Sequence, residues 1–232
     1  MSDGAALGAA LEDVQRRIDR ACERARRDSS SVRLLPVSKS VPVDRLREAM
    51  ALGLATFGEN RVQEAEGKAA EIGEARWELI GHLQSNKAEE AVALFDAIHS
   101  VDSVELARRL GRMAAGAGRS TPLPIYLEVN VDADPAKAGF EPVSLEAVIA
   151  ELTALQNLQL AGLMTVGRLV SSPQEARSTF RRLRELRDRL RQGQPALGGG
   201  LSMGMSSDFE AAIEEGATVV RVGSAIFGPR EV

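Results

Sequence analysis

Several residue types are scarce in this 232-residue chain, and each scarcity excludes something. No run approaches the ~18 consecutive apolar residues of a membrane span. The single cysteine, Cys22, has no internal disulfide partner, which suits a reducing cytosol. The two histidines, His82 and His99, lack the cysteine or carboxylate clustering of a metal centre. A net charge of −4 argues against a dedicated nucleic-acid binder. The N-terminus, MSDGAALGAALEDVQ, carries acidic residues where a secretory signal carries basic ones, so a cytoplasmic protein is expected. Lysine is also scarce: Lys39, Lys68, Lys87 and Lys137 stand against 25 arginines. Genomic composition accounts for that as readily as chemistry does. Lysine, unlike arginine, can lose its proton and act as an amine nucleophile.

What is present is an ordinary globular composition, 44% hydrophobic and 27% charged. Leu7, Leu11, Val14, Ile18 and Cys22 recur at helical spacing, which predicts an amphipathic helix from about Ala6 to Arg27 with Cys22 on its buried face. Strand-like runs then alternate with helical patterns. The strands fall at Val32–Val37, Ala55–Phe57, Trp77–Ile80, Ala97–Ser100, Pro124–Asn130, Leu158–Leu163, Leu201–Met203 and Thr218–Val222. The repeat is roughly 29 residues, the size of a βα unit. Eight such units predict a single-domain (β/α)₈ barrel over residues 31–232, with residues 1–30 forming an extra N-terminal helix as a lid or plug. The Gly193–Gly200 stretch reads as a loop within that domain.

In such barrels the site lies at the C-terminal ends of the strands. Lys39 ends an apolar run there, and desolvation at an apolar mouth lowers a lysine pKa and frees the amine for Schiff-base chemistry; a lysine reaching out to solvent is the plainer alternative. After the seventh strand, Ser206, Ser207 and Asp208 open a helix, and Ser207 with Glu210 fits a capping box. The N–H groups of that helix start, two hydroxyls and the nearby Gly223–Ser224 backbone also make an anion cup. An amine opposite a phosphate cup at one mouth points to pyridoxal 5′-phosphate. Arg221, within an apolar run on the eighth strand, needs a buried partner such as a glutamate. His82 is placed toward the pocket, His99 reads as a core or surface histidine, and Trp77 and Tyr126 as packing in or near the core; Glu59 and Glu64 read as structural, capping or solvated and Lys68 as solvated.

The runs PVSKS, FGENRVQE, WELIGHLQSNK, GLMT, LSMGMSSDFEAAI and RVGSAIFG resemble the YggS/PROSC family of pyridoxal-phosphate homeostasis proteins, from about Val32 to Gly228. The resemblance implies a barrel similar to the N-terminal domain of alanine racemase, and an internal aldimine on Lys39. It also implies that Asn60 and His82 line the cofactor pocket, that Met164 and Thr165 support the ring, and that Ser206, Ser207, Gly223 and Ser224 hold the phosphate. Arg221 would face the pyridine nitrogen and, always protonated, keep it unprotonated, so that the ring is a poor electron sink. Two departures stand out: Gly167 follows GLMTV, and an acidic Asp132–Pro135 loop precedes the Lys137-x-Gly139 element.

Two functions compete. One is a monomeric protein that binds pyridoxal phosphate and releases it to apo-enzymes dependent on it. The other is an amino-acid racemase. Racemases of this barrel type take a second base from a C-terminal domain, for which a chain ending at Val232 leaves no room, and the lone Tyr126 lies in a barrel strand. The carrier is therefore the expectation. Lys137, on the mouth side, is a candidate amine to relay the aldehyde outward; a surface lysine balancing Asp132 and Asp134 is the alternative. A sugar-phosphate enzyme using the same cup is a third, remote reading.

Overall fold

The computed structural model describes residues 3–167 and 173–229. After a long helix α1 (Asp3–Arg24), the chain runs β1 (Arg33–Pro36), α2 (Val43–Ala51), β2 (Thr56–Glu59), α3 (Val62–Glu71), β3 (Arg76–Leu79), α4 (Ala88–Leu94) and β4 (Ala97–Val101). It continues with α5 (Val104–Gly116), β5 (Leu123–Glu128), α6 (Pro142–Thr153), β6 (Leu158–Met164), α7 (Pro173–Gly193), β7 (Gly200–Ser202), α8 (Phe209–Glu214), β8 (Val219–Val222) and a one-turn α9 (Ser224–Phe227). All strand pairs are parallel, in the order β1-β8-β7-β6-β5-β4-β3-β2. A single bridge, Val37 with Gly58, joins β1 to β2 and closes the barrel. This is the (β/α)₈ architecture that the alternation of patterns predicts.

Side-chain alternation along each strand divides the core in two. Outward residues such as Phe57, Trp77, Leu79, Ile98, Ile125, Leu127, Leu163, Leu201, Val220 and Val222 pack beneath the helices in one large cluster. A small separate cluster, Leu35, Tyr126, Met164 and Val219 with Ile80 and Ala161, comes from the opposite strand faces and fills the barrel interior. Four further interior residues, Glu78, His99, Ser202 and Arg221, are polar and buried. A barrel this size is usually filled by branched aliphatics, so those four residues stand out.

Two expectations need correction. Helix α1 is no lid or plug: its buried face packs against α8, α9 and α2 on the outer flank, and none of its residues lines the cavity described below. Arg17 grips Glu210 through Nε and Nη2, each at 3.0 Å, and lies over the Phe209 ring, and Arg27 donates to the Ile213 and Ala217 carbonyls. That pull on Glu210 also undoes the expected capping box. Asp208, not Ser207, is the N-cap of α8, and its Oδ1 accepts from the Met205 N–H at 2.7 Å.

Candidate functional site

The cavity at the C-terminal strand ends has a volume of about 320 Å³. Its walls come from the tops of β1, β2, β3, β6, β7 and β8. Polar lining is supplied by Lys39, Asn60, Arg221, Ser206, Ser207 and Ser224 with the Gly223 backbone, and apolar lining by Val37, Ile80, Val166 and Met205.

One side of the cavity is an anion cradle. Gly204, at φ 92°, turns the chain sharply after β7; a side chain there would press on the Phe209 backbone at 2.9 Å. The turn brings Ser206 across to the start of α9. Its hydroxyl oxygen accepts from the N–H groups of Gly223 and Ala225 at 3.2 and 3.3 Å. The N–H groups of Ser206, Ser207 and Ser224 have no partner among the described residues. Unpaired N–H groups and hydroxyls around one space favour a phosphate.

Across the cavity, the Lys39 backbone is held on both sides. The Ser38 hydroxyl donates to Glu59 Oε1 at 2.6 Å. The Lys68 ammonium donates to the Ser38 carbonyl at 2.6 Å and to Glu59 and Glu64 at 2.7 Å each. Glu64 also accepts from the Ser40 N–H at 2.6 Å, where Ser40 sits at φ 62°, a conformation uncommon for a residue with a side chain. Burial outweighs the Lys68 and Ser38 contacts and lifts the Glu59 carboxyl above its ordinary value. Lys68 is thus no solvated lysine. It shares the buried face of α3 with Val62 and Ala65.

Arg221 projects inward from β8. Its Nη1 donates to the Ser202 carbonyl at 2.7 Å and hydroxyl at 2.8 Å, and its Nη2 to the Thr165 carbonyl at 2.9 Å. Of five donors, the Nε–H and one Nη2–H are left over, and Arg221 lines the cavity. Burial lowers its pKa to about 10, so it remains a cation at neutral pH. No carboxylate is within ion-pair reach among the described residues; Glu128 and Asp208 act on it only from a distance.

Other residues expected at the site lie elsewhere. Met164 is wholly buried in the barrel interior, and the buried Thr165 hydroxyl donates to the Val129 carbonyl; Val166 is the residue of that segment that lines the cavity. His82 is mostly exposed, pairs with Asp102 at 3.1 Å and opens into a neighbouring groove with Arg61, Gln84 and Lys87, which shares only Asn60 with the cavity. His99 is fully buried. Lys137 does not balance Asp132, which Arg182 and Thr179 bind; its ammonium donates to the Val166 and Gly167 carbonyls on the cavity rim. The apolar lining residues and the Lys68 cluster are the parts that sequence reasoning did not single out. The spacing of Lys68 from Val62 and Ala65 was the signal available for the cluster.

Residues 10–231 match the model of the alanine racemase N-terminal domain. Pyridoxal phosphate homeostasis proteins from Aquifex aeolicus and Pseudomonas aeruginosa are 41% and 43% identical over 223 residues, covering 95% of this chain and 97% and 94% of theirs. The solved structure of PipY from Synechococcus elongatus, with pyridoxal phosphate bound, is 41% identical and covers 96% of this chain and 100% of its own, at a TM-score of 0.84. Alanine racemase from Clostridium difficile is similar in fold alone, at 14% identity and a TM-score of 0.70.

Proposed function

The chain belongs to the pyridoxal phosphate homeostasis protein family, and from that premise we propose that it binds pyridoxal 5′-phosphate, holds it on Lys39 and hands it on to acceptors. The observation that carries this reading is the meeting of three groups in one cavity: the Lys39 amine, the unpaired N–H and hydroxyl cradle, and the uncommitted donors of Arg221. When bound, pyridoxal phosphate supplies an aldehyde that condenses reversibly with amines, a ring nitrogen and a phosphate dianion. The fit is chemical at each point. Ser206, Ser207 and Ser224 offer donors to the phosphate, and Asn60 offers an amide beside Lys39. Val37, Ile80, Val166 and Met205 would flank the ring. Arg221 would donate to the ring nitrogen and, as a cation, would keep that nitrogen from taking up a proton.

That last role favours a carrier over a racemase. An unprotonated ring withdraws electrons poorly, so proton abstraction from an amino acid gains little. The lone tyrosine, Tyr126, packs inside the barrel against the His99 ring at 4.3 Å, away from the cavity lining. Lys137, on the rim, is a candidate second amine to accept the aldehyde as it leaves Lys39. The acceptors in this reading are apo-enzymes that use the cofactor, and the protein acts as a cytoplasmic monomer. Borohydride reduction of the loaded protein followed by peptide mass mapping tests the attachment. The pyridoxyl-phosphate mass is expected on the Lys39 peptide, and its presence only on another lysine overturns the assignment. A turnover near ~10 s⁻¹, ordinary for enzymes, on a common amino acid overturns the carrier reading.

A further inference from the structure

The barrel interior holds a column of polar side chains that runs away from the cavity. Arg221 Nη1 donates to Ser202 Oγ at 2.8 Å. Ser202 Oγ lies 2.8 Å from His99 Nδ1, and His99 Nε2 lies 3.0 Å from Glu78 Oε2. Arg33, at the opposite mouth, donates to the same Glu78 oxygen at 2.9 Å.

With Glu78 ionised beside Arg33, only one arrangement of hydrogens satisfies all of these contacts with a neutral imidazole. The carboxylate can only accept, so Nε2 carries the ring proton and donates to Glu78. Nδ1 is then bare and must accept from the Ser202 hydroxyl. Arginine has no acceptor, so Ser202 Oγ in turn accepts from Arg221. The charges agree. Burial pushes His99 toward its neutral form. Burial alone would raise Glu78, but His99 and Arg33 pull it down to about 2, leaving it an acceptor.

Replacing such a column as a whole by well-packed apolar residues is often neutral for stability. What an aliphatic filling cannot supply is direction. We propose that Glu78, His99 and Ser202 are positioning residues, a one-way chain of hydrogen bonds that fixes the roll of the Arg221 guanidinium and so aims its remaining donors at the cofactor ring nitrogen. Among the described residues, Arg221 is otherwise held only by main-chain carbonyls of Ser202 and Thr165, which fix its place but accept from it over a broad range of angles. The His99 ring also packs against the Tyr126 ring, with centroids 4.3 Å apart and planes tilted by 30°.

The inference rests on the proposed contact between Arg221 and the ring nitrogen, and the two are tested separately. Binding is compared for pyridoxal 5′-phosphate and its 1-deaza analogue, in which C–H replaces the ring nitrogen. Wild type is expected to prefer the natural cofactor by about tenfold or more, the worth of one hydrogen bond from a charged donor. Ser202→Ala keeps both main-chain anchors and should lose most of that preference, while its affinity for the analogue stays near that of wild type. A wild type indifferent to the ring nitrogen overturns the Arg221 contact and the relay with it. A Ser202→Ala protein that discriminates as well as wild type overturns the relay alone. Nitrogen-15 spectra of the histidines in the cofactor-free wild type read the chain directly, with the exposed His82 as internal comparison. His99 is expected locked with its proton on Nε2; a proton on Nδ1, or a mixture of tautomers, refutes the proposal even if the serine variant does not fold.

Discussion

Replacing Lys68 by methionine tests whether the loop that presents Lys39 is held from behind. The ammonium sits between Glu59, whose side chain is fully buried, and Glu64, and it also donates to the Ser38 carbonyl. Methionine keeps the stem but leaves Glu59 without a counter-charge. Removing one member of a buried pair costs about 3–5 kcal/mol. In a domain of this size each kcal/mol shifts the melting temperature by about 2–4 °C, so Lys68→Met should melt ~6–20 °C lower. The loss should depend on pH. Burial already raises the Glu59 pKa, and removing Lys68 raises it further. A carboxyl whose folded pKa lies above its unfolded one binds protons more readily when folded, so stability falls as pH rises through that interval. The deficit of the variant should therefore shrink as the pH is lowered toward the carboxylate range. Adding Glu59→Gln, which needs no counter-charge, should recover part of the loss. Because Ser38 and Ser40 flank Lys39 and bond to this cluster, cofactor affinity should fall as well. The assay is thermal unfolding at several pH values beside a cofactor titration. A variant melting within ~2 °C of wild type, with unchanged affinity, refutes the idea of a clamp.

Three other outcomes are expected. Ser206→Ala with Ser207→Ala should raise the dissociation constant for pyridoxal phosphate by about tenfold or more but hardly change that for pyridoxal; equal weakening of both would make the serines purely structural. Glu78, held near 2 when folded against about 4.5 when unfolded, contributes about 3 kcal/mol that is fully present above pH 4.5 and lost as the pH falls toward 2; Glu78→Gln should flatten acid denaturation in that window, and an unchanged acid limb would contradict the assignment. Lys137→Ala should slow transfer of the cofactor to an apo-enzyme while leaving its affinity intact; an unchanged transfer rate returns release to hydrolysis.

The eight strands were legible because each is a short apolar run bounded by polar or glycine residues, and β1 to β8 all lie within a few residues of their expected positions. Helix α9 was not, since Ser224–Phe227 is a single turn, too short to display a period. Lys39, Arg221 and the serines could be named from the sequence because they follow or lie on strands whose ends converge. His82 could not be placed in the same way. Its fate depends on Asp102, a residue on the next strand top whose reach is a tertiary fact. The charge of α3 suggests a solvated Lys68, since helical charge ordinarily faces water; two acceptors from outside the helix, the Ser38 carbonyl and Glu59, draw it inward beside Glu64 on its own helix. Arg221 was expected to need a carboxylate, but a buried guanidinium is also satisfied by carbonyls and a hydroxyl, which no sequence pattern marks.

A protein that carries an aldehyde must also avoid being modified by it. Stray addition to surface amines would scatter the cargo and spoil the carrier. Of the four lysines, Lys68 is locked among three oxygens and Lys87 is bound to Glu90, while Lys137, the proposed relay, stands on the cavity rim. Lys39 is the one that lines the cavity. The 25 arginines supply the remaining positive charge through a group that stays protonated and is inert toward carbonyls under mild conditions. A surface dressed in guanidinium gives the chain its ion pairs without offering competing nucleophiles. On the proposed carrier reading, a lysine-poor composition thus adds to the selectivity that the barrel mouth supplies.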